Sequence, residues 1–193
     1  MDSKAANKKG KVIVISGPSG TGKSTICHRL CETLPAEFSV SVTTRKPRPN
    51  ETAARDYHYV APEEFERLRR TDSLLEWAEV YGQFYGTPAD AVQKAIGDGR
   101  IIILEIDVRG CIQVHERIPE AIAFFILPPT PEEQKTRLVN RKTDAPESVA
   151  ERLAKADGEI RYANESECYD EFVVNDKLEE TVAQIVAKIR ATE

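Results

Sequence analysis

The stretch Gly17-Pro-Ser-Gly-Thr-Gly-Lys-Ser-Thr25 has the spacing G-x-x-x-x-G-K-[S/T], directly after the apolar run Val12-Ile-Val-Ile15 and ahead of a helical pattern. Each position has a physical task. Gly20 and Gly22 permit backbone conformations that let successive N–H groups point inward at phosphate oxygens. Lys23 adds a mobile cation, the helix starting near it adds its positive end, and Ser24 offers a hydroxyl to Mg²⁺. Gly17, Pro18, Ser19, Gly20, Thr21, Gly22, Lys23, Ser24 and Thr25 together predict a seat for a nucleoside triphosphate with magnesium.

Such a seat serves switches, hydrolases and kinases alike. Asp107-Val-Arg-Gly110 fits the D-x-x-G of GTPases, but the N-K-x-D that would read guanine is missing: Asn140-Arg-Lys-Thr-Asp144 and Asn175-Asp-Lys177 do not match it. A kinase needs a second anion site facing the first, because donor and acceptor must meet in line with their charges neutralised. Ser41-Val-Thr-Thr-Arg-Lys-Pro-Arg48 concentrates cations, and Asp56-Tyr57 and Phe84-Tyr-Gly86 supply phenols. Arginine forks match phosphate oxygens, and phenolic hydroxyls add hydrogen bonds. Taken alone, such a loop reads as solvated surface; its neighbours change that reading.

The segments GPSGTGKST, SVSVTTRKPR, RDYHYV, LLEWAEVYGQFYGT, ILEIDVRG and FVVND, in this order, resemble guanylate kinase over nearly the whole chain. The resemblance implies transfer of the γ-phosphoryl group of Mg-ATP to GMP, and to dGMP, giving ADP and GDP in purine nucleotide metabolism. By matched position, it implies that Glu76, Ser41 and Thr87 read guanine, and that Arg45, Arg48, Tyr57 and Tyr85 hold the GMP phosphate. Chemistry agrees: a carboxylate accepts from guanine N1–H and the exocyclic amine, whereas adenine would turn a lone pair toward it. Glu105 and Asp107 would lie near acceptor and metal, with Ser24 and Asp107 as the Mg²⁺ ligands. Asn175 would join the phosphate loop in binding ATP. Lys23 and the lid arginines Arg137, Arg141 and Arg152 would stabilise the migrating phosphoryl group, since an acceptor already ionised has little need of a general base.

The chain departs from that pattern where glycines are usual, with Asn50 and Ala54 in the GMP-side loop and Asn140 and Lys142 around Arg141; Arg109 stands where glutamine is common. Rival readings are a kinase for another nucleoside monophosphate, which Glu76 and Ser41 argue against, and a non-catalytic guanylate-kinase-like module that binds a phosphoprotein. Such modules typically lose the intact phosphate loop that Lys23 and Ser24 keep here. Thr87, which precedes Pro88, also suits a helix N-cap.

The elements that must position these residues follow from hydrophobic pattern. β-Branched runs at 12–15, 101–106, 121–127 and 171–174 suit strands buried on both faces, so the expected class is α/β, a P-loop NTPase-type parallel sheet flanked by helices. Leu178, Val182, Ile185, Val186 and Ile189 repeat at helical spacing and predict a closing helix. Short alternating runs at 39–87 predict a small mixed β insertion that binds GMP, and charged helical segments at 131–158 predict a lid. The core is then 11–38, 88–130 and 159–193, behind a polar tail at 1–10.

With 193 residues, 40% hydrophobic and 31% charged, the chain reads as one soluble domain. A net charge of −5 argues against nucleic acid or anionic membrane as partner. No apolar run reaches membrane-spanning length and the first ten residues lack a signal-peptide core, so a cytoplasmic location is expected. The four cysteines form no C-x-x-C pair and read as reduced structural thiols. The oligomeric state, homo-oligomer included, stays open.

Overall fold

The computed structural model describes residues 9–48, 51–140 and 146–192. Its main sheet is parallel and five-stranded, built from β1 (Lys11–Ser16), β2 (Ala36–Phe38), β7 (Ile101–Glu105), β8 (Ile122–Leu127) and β9 (Glu171–Val174), in the spatial order β2-β7-β1-β8-β9. Because successive strand residues face opposite sides, the run Val12-Ile-Val-Ile15 divides between two cores. Ile13 and Ile15 pack with Ile26 and Leu30 of α1 (Lys23–Thr33) and with Val182, Ile185 and Ile189 of α7 (Leu178–Ala191). Val12 and Val14 pack on the other face, with Val92 of α3 (Ala89–Gly97) and Val114 of α4 (Val108–Arg117). The closing helix read from the sequence is thus α7.

The second sheet has four strands in the order β4-β3-β6-β5, with β3 (Val42–Thr43), β4 (His58–Tyr59), β5 (Leu74–Val80) and β6 (Gln83–Pro88); it is mixed, since β3 and β4 are parallel and the other pairs antiparallel. With α2 (Pro62–Arg70) it closes a small core of Val42, Phe65 and Leu74, and the Phe65 and Phe84 rings stack at 5.4 Å. Phe38 ends β2: its pairing with Ile103 and the bond from Ser39 N–H to the Ile103 carbonyl keep the chain on the main sheet that far.

Strand β5 lies at the edge of its sheet, where unpaired backbone groups need partners. Gln113 of α4 supplies them like a short strand: its Nε2 donates to the Trp77 carbonyl at 2.8 Å and its Oε1 accepts from Trp77 N–H at 3.2 Å. Arg117 adds a bond to the Leu74 carbonyl at 3.0 Å. The second sheet is therefore docked onto a helix of the main domain along the strand that carries Glu76.

Pro88, not Thr87, is the N-cap of α3, and no side-chain cap bond forms there. The Thr87 hydroxyl is used elsewhere, and the capping expectation gives way to it. The stretch 131–158, expected to be a lid, holds α5 (Pro131–Asn140) and the first part of α6 (Pro146–Ser166), and residue 158 lies within that second helix. Lys9 and Gly10, assigned by the sequence to the tail, are tied to the core: Gly10 N–H donates to the Ile96 carbonyl at 3.1 Å and Lys9 pairs with Glu120. Among the described residues all four cysteines are free thiols, and no helix is long and apolar enough to cross a membrane.

Phe124 is fully buried between β1 and the α1–α7 layer. Phe124→Ala is expected to lower unfolding free energy in urea by about 3–5 kcal/mol. Val139→Ala, at a position 55% exposed, should stay within about 0.5 kcal/mol of wild type.

Candidate active site

A cleft of about 320 Å³ separates the phosphate loop from the second sheet. Gly17, Ser19, Gly20, Lys23 and Ser24 form one wall, and Ser41, Arg48, Tyr57, Glu76 and Tyr85 the other. Glu105 and Asp107, at the end of β7, lie between them, and Arg152 of α6 also reaches the cleft. These are most of the residues that the sequence nominated, brought from distant stretches into one place.

The loop is shaped as much from behind as from within. Gly22 has φ 92°, in the left-handed region, and a Cβ there would strike the Asn175 amide. The Asn175 Nδ2 donates to the Thr21 carbonyl at 2.8 Å, and Gln134 Nε2 of α5 donates to the Ser19 carbonyl at 2.8 Å. The Thr21 hydroxyl closes the turn on the Pro18 carbonyl at 2.9 Å. Lys23 Nζ donates to the carbonyls of Gly17 (2.7 Å) and Pro18 (3.0 Å). Pro18, Thr21, Gly22 and Asn175 thus stand behind the lining as supports, while Thr25 is exposed on α1. Gln134, 3% exposed, carried no sequence signal.

Glu76 is the most unusual group in the cleft. It is 3% exposed, and burial pushes its carboxyl up to about 7, with the Asp107 charge adding to the rise and the Thr87 hydrogen bond opposing it. Thr87 Oγ1 donates to Glu76 Oε1 at 2.6 Å. A Cβ at Gly110 would collide with Glu76 Oε2, so the glycine of D-x-x-G makes room for this carboxylate. Asp107 is the N-cap of α4, its Oδ1 accepting from Gly110 N–H at 2.8 Å, and burial raises its carboxyl too.

Arg45 is held by Glu51, a residue that the sequence reading missed. Arg45 Nη1 and Nη2 donate to the Glu51 carboxylate at 3.0 and 2.8 Å, and Nε donates to the Tyr85 hydroxyl at 3.1 Å. The same carboxylate accepts from Arg48 N–H at 2.8 Å and from the Tyr59 hydroxyl at 2.7 Å. Burial alone would raise the Glu51 carboxyl, but the bonds from Arg45, Arg48 and Tyr59 outweigh it and bring it to about 2. Tyr57 stands edge-on to Tyr85 at 5.9 Å and is largely buried, which pushes its phenol up. An acid inside a basic stretch was the available signal for Glu51. Ala54, where glycine is usual, has φ 62°, so it bears the strain that a glycine would relieve.

Arg137 lies outside the cleft lining: Nη1 donates to the Asn175 carbonyl at 2.9 Å and Nε to Glu133 at 3.1 Å. Arg141, Asn50 and Lys142 lie outside the described residues. Ser24 Oγ donates to Glu105 Oε1 at 2.9 Å, so the carboxylate beside the loop hydroxyl is Glu105, while Asp107 Oδ1 serves the helix cap. These oxygen donors suit Mg²⁺, which takes one or two carboxylates plus phosphate oxygens and water. Among the described residues no group of three or more His, Cys, Asp or Glu is placed to hold a metal ion.

A parallel sheet bearing a phosphate loop, faced by a lobe with clustered arginines and a buried carboxylate, defines the class of P-loop nucleoside monophosphate kinases. The family model described as guanylate kinase matches residues 9–192. The chain belongs to the guanylate kinase family. It is 47% identical over 186 residues to the guanylate kinase of Rhizobium meliloti (strain 1021), covering 95% of this chain and 84% of that protein. It is 45% identical over 186 residues to the guanylate kinase of Clostridium perfringens (strain SM101 / Type A), covering 96% and 85%. The crystal structure of guanylate kinase from Anaplasma phagocytophilum superposes with a TM-score of 0.78 at 34% identity, covering 96% of this chain and 87% of that one.

Because the Glu51 carboxyl is held below its ordinary 4.5, its contribution to stability is present above about pH 4.5 and is lost as pH falls toward about 2. Glu51→Gln should remove that segment of the acid limb. Urea midpoints measured from pH 5 to 2 check this; parallel wild-type and variant profiles would contradict it.

Proposed function

We propose that the chain transfers the γ-phosphoryl group of Mg-ATP to GMP, with dGMP as a second acceptor, and that the cleft residues divide the work by charge. The observation that carries the base assignment is the buried Glu76 carboxyl, held by Thr87 and facing the same cleft as the phosphate loop. An ionised Glu76 accepts from guanine N1–H and the exocyclic amine, at about 1.5–3 kcal/mol for each charge-assisted bond. Thr87 spends its proton on Glu76 and so orients the carboxylate. The donor to guanine O6 is then Ser41.

Arg45, Arg48, Tyr57 and Tyr85 take the GMP phosphate. Arg45 is already oriented by Glu51, so little rotamer freedom is lost when the phosphate arrives. Residues 17–25 take the ATP phosphates on inward N–H groups, with Asn175 holding the loop's shape. Lys23 exchanges the carbonyls of Gly17 and Pro18 for phosphate oxygens. Magnesium would be held by Ser24 with Glu105 and Asp107 nearby, and supplies charge neutralisation at the phosphates when bound. Arg137, Arg141 and Arg152 supply the remaining positive charge around the migrating group. No proton has to be abstracted from the acceptor, so positioning and electrostatics carry the rate. The second sheet and α2 form the acceptor lobe, and α5 with the first part of α6 the lid.

A coupled ADP-release assay with GMP, dGMP, AMP, CMP and UMP tests the reading. Turnover should be confined to the guanine nucleotides, and AMP turning over as well as GMP would overturn it. Lys23→Met should abolish transfer while GMP binding persists. Glu76 must be ionised to read guanine yet titrates near 7, so guanine binding expels a proton on the acid side of that value. KM for GMP should rise about fivefold between pH 7.5 and 6.2 while KM for ATP stays level. The second phosphate ionisation near pH 6 contributes less than about twofold across that window. A flat GMP profile would count against the carboxylate reader.

A further inference from the structure

The β5–β6 hairpin turns through Tyr81 and Gly82, both with positive φ, 51° and 71°. A two-residue turn of this kind favours Asn-Gly, and an aromatic residue in the first place carries backbone strain. Nothing lies near a Cβ built on Gly82, so the turn is not crowded into this shape. The strain is instead matched by what the Tyr81 side chain does. Its ring reaches out of the acceptor lobe to the lid helix, where Lys155 Nζ lies 4.2 Å and Arg152 Cζ 5.5 Å from the ring centroid. Residues 152 and 155 are three apart and share one face of α6. Tyr81 and Arg152 also line the cleft together.

Lys155 also pairs with Glu151 at 2.7 Å, one turn back along α6, so the cation that meets the ring is itself anchored on the helix.

We propose that Tyr81 is a positioning residue: carried on the tip of the acceptor hairpin, its ring seats Arg152 and Lys155 and holds the lid helix against the acceptor lobe, with Arg152 in the cleft wall. The consequence for turnover rests on the phosphotransferase reading above; the contact between lobe and lid does not.

Tyr81→Asn keeps a residue that tolerates positive φ and removes the ring, while Tyr81→Phe keeps the ring and removes the hydroxyl. In Tyr81→Asn, kcat with GMP and Mg-ATP should fall roughly tenfold, about 1.4 kcal/mol, with the thermal midpoint unchanged or higher. Amide hydrogen exchange over α6 in the nucleotide-free protein should rise. Tyr81→Phe gives up the hydroxyl's hydrogen bond to Ser19 but keeps the ring face, so its kcat should fall clearly less than that of Tyr81→Asn, by about threefold at most. Unchanged α6 exchange in Tyr81→Asn would overturn the latch, and unchanged kcat would overturn the positioning role. A Phe variant as impaired as the Asn variant would overturn the ring-face account. A wild-type chain that does not phosphorylate GMP would overturn the functional reading, and the exchange measurement would still decide the latch.

Discussion

A loop that turns its N–H groups toward a ligand must turn its carbonyls away from it, and those carbonyls need donors from behind. That requirement organises much of this molecule. The Ser19 carbonyl is met by Gln134 of α5, and the Thr21 carbonyl by Asn175 just after β9. Gly17 and Pro18 are met by Lys23 from within the loop. Helix α5 and the turn after β9 are therefore attached to the phosphate loop through its own backbone. Arg137 extends the chain of contacts by donating to the Asn175 carbonyl. A displacement of α5 would thus reach the loop through short, directional bonds.

On the wall facing the phosphate loop the governing quantity is charge. Cations gathered at and behind one cleft must be kept from repelling one another. Arg45, behind the lining, has a carboxylate for this, Lys23 loop carbonyls and Arg152 an aromatic face. Each partner fixes the cation's orientation in advance. The buried Glu76 poses the opposite problem, a carboxylate in a dry site near Asp107. Thr87 offsets part of that cost, and Gly110 keeps the space around the second oxygen open.

How much of this was legible in the sequence depended on the range of the interaction. The phosphate loop is local, so its spacing sufficed, and the buried strands announced themselves by β-branched runs. Glu76 and the arginine loop emerged only because several segments matched one family in order. The supporting contacts left no comparable trace. Gln134 lies 115 residues from Ser19, and Gln113 lies 36 from Trp77; each is an ordinary polar residue in a helix until the fold brings it to a backbone carbonyl. Thr87 illustrates a local rule overridden, since Thr-Pro before a helix is a good capping sequence but the buried carboxylate was the stronger claimant on its hydroxyl. The D-x-x-G motif was visible, yet its meaning here is a helix cap and a space for a side chain of another strand.

The second sheet and α2 form an excursion that leaves the main domain after Phe38 and returns through Pro88, and both ends line one cavity, with Phe38, Ser39, Val40, Pro88 and Ala91 in its wall. An excursion whose two ends meet can change in length or content with little disturbance to the sheet beneath it. The phosphate loop sits on the parent sheet, whereas Ser41, Arg45, Glu76 and Tyr85 sit on the excursion, apart from what α4 lends to both. Substitutions between residues 39 and 87 would therefore reshape one wall of the cleft while leaving the other wall, and the sheet that carries it, in place.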